Sequence, residues 1–381
     1  MDIQQTAALC KQAAITMAAL PTDTKNRALE AIIRALEENR ERIIAANAAD
    51  LEQAEKENLE APLLKRLKFD AAKLAEACDG IKSLVSLPDP VGRILDGTEL
   101  DTGLELYRVS RPIGVIGVIF ESRPDALVQI AALGLKSANT VLLKGGSEAA
   151  RTNQVLAEVI SEAGVASGCP EGWLGLLETR SDVSQMLELD KSVDLIIPRG
   201  SNEFVKYIMD NTNIPVLGHA DGICHLYVDK TADTAMAIDL AVDGKTQYVA
   251  VCNATETILV HKDAAPGVLP EMKTALEAKG VKIFGCDRTR EIIEAEPASE
   301  TDWQTEYLDL IVSIRVVDSL DQGIGHINQY GSGHTDVIVS PEKERALYFM
   351  DHVDTADAFW NCSSRFADGF RFGLGAEVGI S

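Results

Sequence analysis

Along the first 87 residues, apolar positions recur at helical spacing between charged ones. Helices are therefore expected over residues 24–49, 51–58 and 70–84, with the alternating charges on solvated faces. Pro88 and Pro90 close this region. Across residues 91–109 the pattern becomes two short strands around Asp96-Gly97 and Asp101-Thr102-Gly103. Such a hairpin serves as an oligomerisation arm or as a surface flap. Next comes the apolar run Ile113-Gly114-Val115-Ile116-Gly117-Val118-Ile119-Phe120, as expected for a strand buried on both faces. Helices and strands then alternate: helix 125–137, strand 140–144, helix 147–163, strand 173–177, helix 182–189, strand 193–198, helix 202–211 and strand 224–228. A second series begins with a helix capped at Thr231. It continues with strand 255–261, helix 271–278, strand 281–284, helix 287–296, strand 308–317, helix 320–329, strand 335–340 and helix 342–352. This alternation predicts an α/β architecture with doubly wound parallel sheets, whose ligands bind beyond the carboxyl ends of the strands.

A chain of 381 residues is too long for one ordinary core, so two or three domains are expected. The formal charge of −23 argues against nucleic acid and anionic membrane as partners. An anionic substrate would have to meet local positive charge against that background. Seven cysteines (10, 78, 169, 224, 252, 286, 362) are scattered without a C-x-x-C pair, which fits a reducing cytoplasm and gives no disulfide or zinc framework. The N-terminus is patterned as an amphipathic helix and not as a signal peptide. The longest apolar run, residues 112–120, is far short of the roughly 20 residues of a membrane span.

Chemistry concentrates at a few element junctions. Cys252 lies in Thr246-Gln247-Tyr248-Val249-Ala250-Val251-Cys252-Asn253-Ala254-Thr255-Glu256, between a helical pattern and a strand pattern. A thiol at such a junction is accessible, and main-chain N–H groups there can face an oxyanion. A buried cysteine acting as a small hydrophobe is the alternative. Two strand ends also stand out: Leu143-Lys144-Gly145-Gly146-Ser147 and Ile197-Pro198-Arg199-Gly200-Ser201. Each offers main-chain N–H groups, a hydroxyl and a cation to phosphate oxygens, with Ser201 a natural N-cap. Tight turns alone would also explain the glycines. Gly244-Lys245-Thr246 looks like the end of a P-loop, but position 239 is Asp and the segment is helical. Asp351, His352 and Asp354 lie at a helix end, and no metal site is assigned.

Taken together, Phe120-Glu121-Ser122-Arg123-Pro124, residues 140–147, Ile197-Pro198-Arg199-Gly200-Ser201, residues 251–257 and the glycine- and aromatic-rich tail 361–379 resemble the aldehyde dehydrogenase superfamily. Within it the chain is similar to the γ-glutamyl phosphate reductase family over essentially its whole length. The resemblance implies an aldehyde-dehydrogenase-like fold in three parts. A Rossmann-type NADP-binding domain takes 1–87 with 110–228 and 355–381, a second α/β catalytic domain takes 229–354, and 88–109 form a β-hairpin oligomerisation arm. It places the nucleophile on Cys252, with Asn253 beside it as the second catalytic candidate. Cofactor contacts fall on Lys144, Gly145, Gly146, Ser147, Gly200, Ser201 and Glu377. Ser147 stands where NAD-preferring members carry a glutamate that repels a 2′-phosphate, which implies NADPH/NADP. Arg123, Arg199 and Arg365 are the candidates for the substrate's anionic ends, because arginine grips such groups bidentately. Each also has a plain structural alternative.

The implied reaction is reduction of L-glutamyl 5-phosphate to L-glutamate 5-semialdehyde and phosphate, in proline biosynthesis. A homo-oligomer and a functional coupling to glutamate 5-kinase are implied partners. Hydrolytic members carry a base glutamate where this chain has Val216-Leu217-Gly218-His219. Their oxyanion-hole asparagine has no counterpart in Glu121-Ser122-Arg123-Pro124, so main-chain N–H groups near Cys252 are expected to take that part. The chain stops at Ser381 where family members continue for a few tens of residues, which leaves the assembly open. A CoA-acylating aldehyde dehydrogenase and a non-catalytic relative of the fold are the alternatives.

Overall fold

The computed structural model describes residues 2–120, 123–177, 181–218, 221–369 and 371–373. The chain divides into two units, Met1–Gly218 and His219–Ser381.

The first unit opens with five helices, Ile3–Met17, Thr22–Glu38, Arg40–Lys56, Ala61–Leu67 and Ala71–Ser86. The single helix expected over 24–49 is two, because Asn39 interrupts it and its Nδ2 donates to the Ala35 carbonyl at 2.9 Å. Strands β1 (Ile94–Asp101) and β2 (Leu104–Val109) form the hairpin, whose residues are all exposed. Its one turn is at Thr102-Gly103, and Asp96-Gly97 lies within β1. A parallel sheet follows: β3 (Val115–Phe120), β4 (Thr140–Lys144), β5 (Leu174–Leu177) and β6 (Leu195–Arg199), in the order β5-β4-β3-β6. All five residues of β4 are buried, as its unbroken apolar character demands. Ile3, Ala7, Cys10 and Ala14 of the first helix share a core with Val115, Leu142 and Ile196 on one face. Helices Pro124–Lys136 and Ala150–Ala166 lie on the other, packed with the helices at 22–38, 40–56 and 71–86. Asp50 ties that layer down by accepting from the Thr152 N–H at 2.8 Å and its hydroxyl at 2.7 Å.

The second unit holds a seven-stranded parallel sheet built from β7 (Cys224–Val228), β8 (Thr255–His261), β9 (Lys282–Gly285), β10 (Glu296–Pro297), β11 (Ile311–Val317), β12 (Thr335–Val339) and β13 (Asp357–Trp360). Their order is β10-β9-β11-β8-β7-β12-β13. Side chains alternate between two cores. Leu226, Ile258, Ile314 and Val337 meet the helices Thr234–Thr246 and Ala265–Glu277 on one face. Tyr227, Leu259 and Ile338 meet the helices Leu320–Tyr330 and Lys343–His352 on the other. The α/β, doubly wound expectation holds in both units. Two boundaries differ from expectation. Strand 224–228 and the tail 355–381 were assigned to the first domain, but β7 pairs with β8 and β12, and β13 pairs with β12. A strand buried on both faces has the same pattern in either sheet, so periodicity could not name its partners.

The second core contains one group that titrates against the fold. His326 is buried edge-on to Trp303 and His225, and its Nδ1 accepts from Arg315 Nη1 at 2.9 Å. Burial first, then the charges of His225 and Arg315, push its pKa down to about 2. The unfolded chain takes up this proton below about pH 6.5 and the folded one refuses it. Stability is therefore whole above that pH and falls by up to about 1.4 kcal/mol per unit below it. Urea midpoints measured between pH 6.5 and 5 should fall, and His326→Leu should flatten that slope whatever its effect at pH 8.

Candidate active site

In the first unit the expected residues gather at one sheet edge. The order β5-β4-β3-β6 reverses direction between β3 and β6, and the crevice at such a switch point is where nucleotides bind. Lys144 ends β4 and pairs with Ile119, while Arg199 ends β6 and pairs with Phe120. Arg123 follows three residues after β3, exposed and ion-paired with Asp125 at 3.0 Å. Lys144 is 5% exposed, and its Nζ donates to the Gly145 carbonyl. A Cβ on Gly145 would lie 2.2 Å from Asn153 Nδ2, so any side chain there would force the buried Asn153 to shift. Ser147 is exposed and opens a 3-10 turn, Ser147–Ala149, where a regular helix was expected. Gly200 is exposed, and the Ser201 hydroxyl caps the helix Asn202–Asp210, accepting from the Phe204 N–H at 3.4 Å.

In the second unit Cys252 lies on the loop between the helix Thr234–Thr246 and β8, half-buried. That helix is capped by Asp233, which accepts from the Met236 N–H at 2.8 Å, and not by Thr231 as expected. The loop is fixed from three sides. At its ends Lys245 and Glu256, both 0% exposed, form an ion pair of 2.6 Å. Burial raises the Glu256 carboxyl to about 7 and lowers Lys245, with the mutual attraction opposing both changes. The supposed P-loop lysine is thus engaged inside the fold. Beneath the loop, the Cys224 thiol donates to the Cys252 carbonyl at 3.1 Å. Gly222 is pressed so close that an added Cβ would fall 2.2 Å from that same carbonyl oxygen and 2.4 Å from Cys252 Cα. Across the loop runs the segment 364–367. Asn253 Nδ2 donates to Ala367 O at 2.7 Å, Thr255 Oγ1 meets Ser364 Oγ at 3.1 Å, and Arg365 Nε donates to Gln247 Oε1 at 3.3 Å.

The arrangement therefore brings Cys252, Asn253 and Arg365 together, with the Asn253 side chain serving to hold the segment 364–367. Glu377, Glu121, Ser122 and His219 lie outside the described residues. Sequence reasoning missed Gly222, the Lys245–Glu256 pair and Arg371. Gly222, between Asp221 and a buried strand, carried a weak turn signal. The other two carried none, since a lysine and a glutamate eleven residues apart fit any pattern.

Residues 1–283 match the family model described as aldehyde dehydrogenase family. The chain belongs to that family. Among aldehyde dehydrogenase family members it is 64% identical, over 381 residues, to the γ-glutamyl phosphate reductase of Pelotomaculum thermopropionicum. That alignment covers 100% of this chain and 88% of the relative. The crystal structure of the γ-glutamyl phosphate reductase of Thermotoga maritima superposes with a TM-score of 0.97 at 38% identity, covering 100% of this chain and 93% of that one. The resemblance to the γ-glutamyl phosphate reductase family is thereby borne out. An acetylating aldehyde dehydrogenase of Geobacillus thermoglucosidasius matches at 15% identity with a TM-score of 0.62, over 97% of this chain and 87% of that one. It shares the fold of this aldehyde dehydrogenase family chain.

The contact at Gly222 gives a direct test. Gly222→Ala should displace the Cys252 main chain and cut turnover by about 100-fold or more, since small misplacements of reacting groups cost that much. Kinetics of the folded variant check it, with circular dichroism confirming that the fold is kept.

Proposed function

We propose that the chain catalyses NADPH-dependent reduction of L-glutamyl 5-phosphate to L-glutamate 5-semialdehyde and phosphate, a step of proline biosynthesis. What carries the proposal is a fixed, half-buried Cys252 loop in a chain 64% identical to a γ-glutamyl phosphate reductase. Cys252 acts as thiolate: the S–C bond forms at the acyl carbon while the C–O bond to phosphate breaks, and phosphate departs with the electron pair. Main-chain N–H groups of the loop meet the oxyanion. NADPH, when bound, supplies the hydride that takes the thioester to the aldehyde level. Expulsion of the aldehyde returns the electron pair to sulfur, for which a thiolate is well suited because it both attacks and leaves readily.

The first unit fits a dinucleotide. The switch-point crevice, the close main-chain passage at Gly145 and the Lys144 cation suit phosphate and ribose oxygens. Lys144, Gly145, Gly146, Ser147, Gly200 and Ser201 would hold the cofactor, with Ser147 leaving room for a 2′-phosphate. Arg123, Arg199 and Arg365 are the substrate arginines. The hairpin, with Leu100, Leu104 and Leu106 each more than half exposed, is suited to an oligomerisation arm. A reducing cytoplasm suits a thiolate nucleophile. Coupling to the kinase that makes the acyl phosphate would spare a mixed anhydride from water.

Two measurements test this. NADP⁺ reduction with glutamate 5-semialdehyde should require added phosphate, should not respond to CoA, and should vanish in Cys252→Ala. CoA dependence in its place would promote the acylating alternative. Ser147→Glu should raise KM for NADPH by about tenfold or more while changing that for NADH little, through like-charge repulsion.

A further inference from the structure

The second unit holds two arginines joined through the main chain, Arg365 and Arg371, in a chain of net charge −23. Arg371 Nη1 donates to the Arg365 carbonyl at 2.9 Å, and the Arg371 guanidinium lies 6.0 Å from the centre of the Phe366 ring. Phe366 is itself packed with Phe359 and Phe372, so this perch is built and not incidental. Neither arginine forms an ion pair with a carboxylate among the described residues. Asp243 and Asp368 act on Arg365 only as more distant charges, and Asp368 spends Oδ1 on the Arg371 main-chain N–H at 3.1 Å. Both terminal nitrogens of Arg365, and Nε and Nη2 of Arg371, are left without a hydrogen-bond acceptor among the described residues. Arg365 is lowered from its ordinary value by burial first and by Arg371 second, while the charge of Cys252 acts in the opposite sense. An anion arriving at the pair would relieve the repulsion that Arg371 exerts on Arg365.

We propose that Arg365 and Arg371 form a dianion subsite beside Cys252 that seats the phosphoryl leaving group and, in the reverse direction, inorganic phosphate. The inference rests on the function proposed above. Its geometry is the hydrogen bonding of segment 364–367 to Gln247, Asn253 and Thr255, which holds Arg365 against the Cys252 loop, with Arg371 fastened to the Arg365 carbonyl. In an acyl phosphate the group bonded to the attacked carbon is the phosphoryl, whereas the amino-acid carboxylate lies at the far end of the chain. Two guanidiniums match a dianion, and one suffices for a carboxylate. As the C–O bond breaks, its electron pair passes to phosphate, so the pair binds more tightly in the transition state than in the ground state.

The test uses the full chain and inorganic phosphate. Phosphate should protect Cys252 from iodoacetamide, followed by mass spectrometry, where chloride at equal ionic strength does not. In Arg371→Gln the phosphate concentration for half-protection should rise about 10- to 100-fold, the loss of one charge-assisted contact. KM for phosphate in NADP⁺ reduction should rise in parallel, with KM for the aldehyde within about twofold. Arg371→Lys keeps the charge without the fork and should fall between, which guards against a folding artefact. Protection equal in wild type and Arg371→Gln, or an aldehyde KM that rises while the phosphate KM does not, overturns the subsite. If wild-type turnover ignores phosphate but protection still depends on Arg371, the subsite stands and the proposed reaction falls.

Discussion

The ion pair between Lys245 and Glu256 is the constraint on which the Cys252 loop depends. It joins the last turn of a helix to the first residues of a strand, with the whole Cys252 loop spanning the gap between them. Both partners are fully buried, so their attraction must offset a large desolvation cost, and removing either alone would strand a charge at about 3–5 kcal/mol. A pair of apolar residues could match its stability. What they could not match is direction, because a charge-assisted hydrogen bond fixes one atom against another where apolar packing tolerates sliding. The loop's other restraints, from Gly222 below and the segment 364–367 across, then act on a frame already set.

Charge is distributed in this chain for two purposes. The bulk carries a large negative excess, which favours solubility and keeps polyanions away. Against it, Lys144 and Arg199 stand at the carboxyl ends of β4 and β6 in the four-stranded sheet, and Arg365 is held against the Cys252 loop.

Most of the architecture could be read from the chain because it follows from periodicity. The run 113–120 and the five buried residues of β4 can only be interior strands, and the turn at Thr102-Gly103 announces a hairpin. Cys252 could be located because small residues between a helix and a strand mark an exposed junction. What could not be read was partnership. Strand β7 has the same apolar pattern whether it lies beside β6 or β8, and the tail gives no sign that β13 pairs with β12. The break at Asn39 was hidden because a one-residue interruption leaves helical spacing intact on either side. Gly222 and Arg371 matter only through what the fold brings against them, a carbonyl in one case and a second arginine in the other.

The segment that fastens the Cys252 loop lies more than a hundred residues further along the chain: 114 for Asn253 to Ala367 and 118 for Gln247 to Arg365. Such contacts close late, since the loop entropy they cost must be met before they return anything. During synthesis the Cys252 loop is thus made long before the segment that restrains it. The geometry of the loop is timed by topology: a half-made chain carries the loop but not the segment that fastens it.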